Sequence, residues 1–470
     1  MRIPYFQIVS FLLVTTLTQA QTLNQKLQTA FNHLQQDSQC RYASISLTVL
    51  DATTGEQVFA ANPNMGLAPA STLKTVTSIT AFNLLGADYH FQTQFGYSGT
   101  IDAGGTLNGD VIIKGGGDPT LGSWHYPTTK ENIVLTQLIT ALQQSGIKQI
   151  NGRVIGDDSI FDTQSIPDGW IWQDLGNYYG AGASGLCWRE NIFDIKYETG
   201  AVGSPVKVLR TSPAMPYFDF KSEVITSAAG SGDKSYAYLP IGNKSMYIRG
   251  AYAIDKAKKS ITVALPDPAF DAAWRLTDTL KRLGITVSHD PESTVTLAAK
   301  AEQAPVISKT LTIISSPELS KIIYWLNKES INLYAEQLLK TIALKAGKPV
   351  STKMGVETLQ NFWKVRGIDT HTLNLYDGSG LAPADRITTN TIAHILQTAV
   401  NQPWYPVFFE SLPLYNNMHM KSGTIADVVA YAGYQTHSGR KLCFSAIINN
   451  YNGSTTAVRQ KLFKVLDELK

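Results

Sequence analysis

The chain has 470 residues, 43% of them apolar and only 16% charged, against a usual charged share of about 25%. This excludes a disordered chain and a collagen, and a net charge of +3 gives no electrostatic case for nucleic acid. Three cysteines, Cys40, Cys187 and Cys443, are too few for a disulfide framework, and the expectation is that all three are buried as small apolar side chains.

The chain starts with a positive Arg2, an apolar run from Ile8 to Thr15 and the small-x-small pattern Thr18-Gln19-Ala20. This is the pattern of a secretory signal peptide, 1–20, removed after about Ala20. The run is shorter than the ~18 apolar residues that cross a bilayer, so no stable membrane span is expected. Leu23, Leu27, Ala30, Phe31 and Leu34 fall at helical spacing and predict an opening helix. Ser44 to Val49 alternates strictly between polar and apolar and predicts a half-buried strand. Asp51 to Gly55 is turn-like, and a return strand begins at Gln57. Ala68-Pro69-Ala70-Ser71-Thr72-Leu73-Lys74 runs into a helical pattern of Leu73, Val76, Ile79 and Phe82, closed by Gly86.

From about Gly96 to Lys300 glycine is frequent and short strand signals dominate, as at Asp110 to Lys114, Arg153 to Ile155 and Ile261 to Leu265. Helical stretches interrupt them near Glu131 to Gln144 and Asp271 to Leu283. Further on, Ser330-Ile331-Asn332 precedes a helical run containing Ala335, Leu338, Leu339 and Ile342. His419-Met420-Lys421-Ser422-Gly423-Thr424 precedes an apolar stretch, Lys441 to Ile448 reads as a strand, and Val458, Leu462, Val465, Leu466 and Leu469 mark a closing helix. Both ends thus read as helix beside antiparallel strand. The first and last segments, 21–95 and 301–470, are expected to build one domain around a mostly β insertion at 96–300. Loops accept such insertions because extra length costs little closure entropy.

Three segments carry chemistry. Ser71 at a helix start has Lys74 one turn on, on the same face. A serine is a weak nucleophile until a neighbour takes its proton, and a desolvated lysine can lose its charge and do so. The helix N-terminus adds oriented N–H groups that suit an oxyanion. Ser330 and Asn332 offer a hydroxyl and an amide two residues apart at a second helix start. Lys421, Ser422 and Thr424 present a cation and hydroxyls to an anionic group, and Gly423 lets a ligand approach the backbone. Each pattern alone is common. In this order, S-x-x-K, S-x-N and K-[ST]-G form the specific set of β-lactamases and penicillin-binding proteins.

The chain resembles the low-molecular-mass class C penicillin-binding proteins, which are D-alanyl-D-alanine carboxypeptidases and endopeptidases. The resemblance covers nearly the whole mature chain. It includes Gly115 to Leu121, which lacks the Gly-Lys-Ser/Thr ending of a phosphate loop, and Asp377-Gly378-Ser379-Gly380-Leu381. It implies an α/β (α+β) fold: a β-lactamase/transpeptidase-like domain with an antiparallel sheet flanked by helices, a helical subdomain carrying Ser330, and an insertion forming two small domains. It implies Ser71 as nucleophile, Lys74 as general base, Ser330 as proton relay, Asn332 as holder of the substrate amide, and Lys421, Ser422 and Thr424 as carboxylate site. The backbone N–H groups of Ser71 and Thr424 would form the oxyanion hole. Trp172, Asp174 and Tyr179 would grip the amino group at the tip of a stem residue. The chain departs from the family at Ser422, where threonine is usual, at Ile331, and at Ile425 in the stem-peptide pocket.

The implied function is a secreted, periplasmic, serine-type D-Ala-D-Ala carboxypeptidase/DD-endopeptidase. It would act on peptidoglycan stem peptides through an acyl-enzyme, be acylated by β-lactams, and use no cofactor or metal. The alternatives are a β-lactamase of the same fold and a non-catalytic wall-binding protein. A class A β-lactamase would carry Glu-x-x-x-Asn between the second and third motifs, and Glu336 instead fits its helix pattern. A degenerate binder would have lost Ser71, Lys74 or Lys421. A zinc peptidase would need His-Glu-x-x-His, which the sequence lacks.

Overall fold

The computed structural model describes residues 21–238 and 245–470; the expected signal peptide lies outside them. A six-stranded antiparallel sheet organises the two ends of the chain. Its order is Gln57–Ala61, Ser44–Asp51, Arg440–Asn449, Val428–His437, Met418–Ile425 and Leu414–Tyr415. The first strand in the chain, Ser44–Asp51, therefore pairs along its length with the final one, Arg440–Asn449.

One face of this sheet is covered by the first and last helices, Leu23–Gln36 and Thr455–Leu466. Their apolar stripes, Leu27, Phe31, Leu34, Val458, Leu462 and Val465, pack on Ile45, Leu47, Val49, Phe444 and Ile448. A helical layer made by Leu73–Leu85, Leu319–Lys328, Asn332–Lys345, Thr352–Lys364 and Thr389–Ala399 covers the other face. The strand Ser44–Asp51 is consequently buried on both sides, not half-buried as its alternation suggests. Ser46 and Thr48, the polar half of that alternation, are buried beneath the helix Thr389–Ala399. Their hydroxyls meet the Thr389 hydroxyl at 2.6 and 2.9 Å, which satisfies polar groups that would otherwise be costly to bury.

The helix Leu73–Leu85 runs through the middle of the helical layer, and every residue from Leu73 to Phe82 is buried. It ends where Gly86 takes a positive φ of 93°.

Strands Gln92–Tyr97 and Lys309–Ser315 carry the chain out of this unit and back, paired antiparallel with each other. They belong to a five-stranded sheet with Val111–Lys114, Val154–Asp157 and Glu292–Ser293, so this sheet extends a few residues beyond 96–300 at each end. Helices Glu131–Gln144 and Pro268–Arg282 pack on it around Phe95, Val134, Leu138, Leu276, Leu280 and Ile314. Nested inside is an all-β segment with its own core of Phe193, Ile195, Val206, Met246, Ile248 and Val263. Cys40, Cys187 and Cys443 are free thiols, buried in different places. Among the described residues no helix is long and apolar enough to cross a membrane.

Candidate active site

Ser71 sits in a short 3-10 turn, Ala70–Thr72, that leads into the helix Leu73–Leu85. Ala70 takes a left-handed φ of 45° to make this turn. The turn is wedged between two glycines. A side chain on Gly380 would collide with the Ala70 carbonyl, and one on Gly423 would collide with the Pro69 carbonyl. The Asp377–Leu381 segment and the Lys421–Gly423 strand can therefore both close on Ser71. Asn449 pins the approach by accepting from the Ala68 N–H at 2.8 Å and donating to the Ala68 carbonyl at 3.1 Å.

Lys74 is fully buried, with 0% exposure. Its Nζ donates to Ser71 Oγ at 2.9 Å, to Asn332 Oδ1 at 2.6 Å and to the Ser379 carbonyl at 2.8 Å. Burial pulls its pKa down to about 7, while Asp377 and Glu336 pull the other way. An amine near neutrality beside a serine hydroxyl can accept that hydroxyl's proton.

Asn332 is the first residue of the helix Asn332–Lys345. Ser330, two residues before, has a positive φ of 57°, which turns the chain between two helices and is a strained conformation for a serine. Lys421 Nζ donates to Ser330 Oγ at 2.8 Å and to the Ser422 carbonyl at 2.9 Å. Burial, with Lys74 as a like charge, holds Lys421 well below the usual lysine range. Its two hydrogen-bond acceptors are both uncharged. An incoming carboxylate would supply the missing counter-charge and favour the ammonium. Ser422 and Gly423 follow on the same strand, and Thr424 is exposed at its end.

The inserted region also reaches this cleft. Asn332 Nδ2 donates to the Tyr179 carbonyl at 2.7 Å. The Tyr179 side chain packs with Trp170, Leu175, Leu381, Ala382 and Ile425, so residues of the insertion and of the cleft share one apolar cluster. The Tyr179 hydroxyl accepts from Asn177 Nδ2 at 3.0 Å and lies near Asp174, whose carboxyl is pushed up by partial burial. Trp172 is 45% exposed and makes its ring contact edge-on with Tyr238 of the nested β segment, centroids 5.3 Å apart.

The geometry thus joins Ser71, Lys74 and Asn332, joins Ser330 and Lys421, and brings Tyr179 to Asn332 through its backbone. Sequence reasoning missed the groups behind them. Asp377 accepts from the Gly380 N–H at 2.7 Å, the Ala382 N–H at 2.8 Å and the Trp170 indole N–H at 2.7 Å. Glu336 accepts the Gly378 N–H on both carboxylate oxygens. Both acids brace the turn whose Ser379 carbonyl meets Lys74. For Asp377 the sequence signal was its place in the Asp377–Leu381 motif, to which no role was given; for Glu336 it was a carboxylate on an otherwise apolar helix face.

A serine hydroxyl held by a buried, proton-poor lysine, between a helical layer and an antiparallel sheet, defines a serine hydrolase of the β-lactamase and transpeptidase fold. Comparison with known proteins makes this specific. The chain belongs to the D-Ala-D-Ala carboxypeptidase 3 (S13) family, whose pattern matches residues 25–469, and it is a serine-type D-Ala-D-Ala carboxypeptidase. It is 27% identical over 434 residues to a D-alanyl-D-alanine carboxypeptidase of Actinomadura sp. (strain R39), covering 87% of this chain and 78% of that one. It is 25% identical over 406 residues to D-alanyl-D-alanine carboxypeptidase DacB of Haemophilus influenzae, covering 82% and 80%. The crystal structure of penicillin binding protein 4 (dacB) from Haemophilus influenzae shares the fold with a TM-score of 0.78 at 21% identity, over 93% of this chain and 98% of that one.

Proposed function

We propose that this carboxypeptidase is exported to the periplasm and cleaves D-Ala-D-Ala ends and cross-links of peptidoglycan stem peptides through an acyl-enzyme on Ser71. The observation that carries the reading is Lys74, buried and bonded at once to Ser71, Asn332 and the Ser379 carbonyl.

In this mechanism neutral Lys74 takes the Ser71 proton as Oγ attacks the carbonyl of the penultimate D-alanine. The backbone N–H groups of Ser71 and Thr424 receive the oxyanion. Lys421, with Ser422 and Thr424, binds the terminal carboxylate, while Asn332 holds the substrate amide. Ser330, bonded to Lys421, passes a proton to the leaving amine. Water then releases the acyl group, with Lys74 again as base. Asp174, Trp172 and Tyr179 form the stem-residue grip, and Asp174 beside the Tyr179 hydroxyl can receive an ammonium. A β-lactam carries the same carbonyl and carboxylate but its leaving group stays tethered, so a persistent adduct follows. A solved structure of the Haemophilus influenzae protein is described as complexed with a novel β-lactam, which supports the analogy.

The test is mass spectrometry. Purified protein incubated with penicillin should gain the mass of one penicillin on the peptide containing Ser71, and Ser71→Ala should gain none while remaining folded. Labelling that persists in Ser71→Ala would overturn the assignment. Muropeptides digested by the same protein should lose terminal D-alanine and cross-linked dimers.

A further inference from the structure

Trp170 belongs to the inserted region, 207 residues before Asp377 in sequence, yet its indole N–H lies 2.7 Å from Asp377 Oδ2. It is buried, with 8% exposure, and packs with Leu381 and Ala382 of the same turn. Asp377 is the centre of that turn. It accepts from the backbone of Gly380 and Ala382 and from Ser379 Oγ at 3.3 Å. The turn presents the Ser379 carbonyl to Lys74, and Gly380 lies against the Ala70 carbonyl beside Ser71. From inside, Glu336 holds Gly378. Asp385 accepts from the Tyr376 N–H at 2.7 Å, and burial together with the nearby charge of Asp377 holds its carboxyl well above the usual carboxylate range. The turn that orients the lysine is thus clamped by catalytic-domain acids on one side and by an indole of the insertion on the other.

We propose that Trp170 is a positioning residue for acylation: through Asp377 it fixes the Ser379 carbonyl on Lys74, which makes the inserted region part of the catalytic apparatus for every substrate, including those too small to touch it. This rests on the assignment of Ser71 and Lys74. It differs from the role given to Asp174, which concerns only substrates bearing a stem side chain.

The experiment uses the full-length mature protein and a chromogenic β-lactam that makes no use of the stem-residue grip. Trp170→Phe keeps the ring and removes the N–H. Its acylation rate constant should fall about tenfold, the loss expected when a hydrogen bond to a charged group is removed, with melting temperature nearly unchanged. The acid limb of the pH profile should move to lower pH. A slackened Ser379 carbonyl gives the Lys74 ammonium a poorer acceptor and makes it less favoured, while Glu336, Asp377, Asp385 and Lys421 around it are unaltered. Trp170→His, which restores a ring N–H, should recover part of the rate. The double variant Trp170→Phe/Asp377→Asn should be no slower than the slower single variant, because the two act through one contact. An unshifted or upward-shifted acid limb, or fully additive losses, overturns the proposal. Labelling of Ser71→Ala would instead overturn the underlying assignment, so the two failures are distinct.

Discussion

Asn332 is bonded at both ends of its side-chain amide: its oxygen accepts from Lys74 and its nitrogen donates to the Tyr179 carbonyl at 2.7 Å. The second bond fixes which way the amide faces, so the base meets an acceptor and never a donor. A residue of the insertion thereby sets the polarity of a contact at the centre of the cleft. Catalytic atoms thus sit on one unit while their orientation is set in part by another.

Lys74 and Lys421 are both buried lysines with a serine partner, and they should respond differently to arginine. Lys74 must be neutral for part of the cycle, and guanidinium does not deprotonate. Lys74→Arg should therefore show no measurable penicillin adduct. Lys421 has only to present positive charge, so Lys421→Arg should keep a measurable fraction of the wild-type acylation rate. Equal losses in the two variants would count against the separate roles.

The pH dependence of acylation follows from Lys74. With burial drawing its pKa to about 7, the neutral base accumulates as pH rises through that value. Acylation by a β-lactam, followed from about pH 5 to pH 9, should climb through neutrality and level off above it. A rate that falls across the same interval would mean that the protonated form is the active one.

Glu336 provides a stability test. Its burial, together with the nearby charge of Asp377, raises its pKa from 4.5 to about 8. The folded chain holds this proton more tightly than the unfolded chain does. Its contribution is therefore fully present below about pH 4.5 and is lost as pH rises through about 8. Glu336→Gln cannot ionise, so its melting temperature relative to wild type should increase steadily over that interval. A difference that stays constant with pH would show Glu336 to be ionised in the folded protein throughout.

Asp174→Asn should separate recognition from chemistry. Turnover of stem peptides with a free side-chain amine should drop about tenfold or more, the loss of a charge-assisted contact. Acylation by a simple penicillin should be nearly unchanged. A parallel fall in both reactions would show that Asp174 acts on the acyl chemistry.

What could be read from the sequence was whatever is local. Ser71 and Lys74 are one helical turn apart, Ser330 and Asn332 straddle a helix start, and Lys421 to Thr424 lie on one strand, so each group announces itself within a few residues. The helix and strand periodicities at both ends likewise reflect faces buried by neighbours close in the fold. The remainder depended on contacts with no local trace. Nothing near Trp170 indicates a partner at Asp377. Glu336 fitted the apolar period of its helix because that whole face is buried, and only the Gly378 N–H explains a carboxylate there. Ser46 and Thr48 had the pattern of a solvent-facing stripe, but the Thr389 hydroxyl lets them lie in the interior.

The pairing of Ser44–Asp51 with Arg440–Asn449 has a consequence for biosynthesis. Asp51 and Arg440, 389 residues apart, close this pair with an ion pair. The strand carrying Lys421 joins the sheet through Val428–His437, which in turn leans on Arg440–Asn449. The cleft joins residues from both ends of the chain, with Lys74 bonded to Asn332 and to the Ser379 carbonyl across 258 and 305 residues. A nascent or truncated chain ending before Arg440 lacks the strand that joins its two halves. The carboxypeptidase cleft is thus complete only in a chain that includes its final strand.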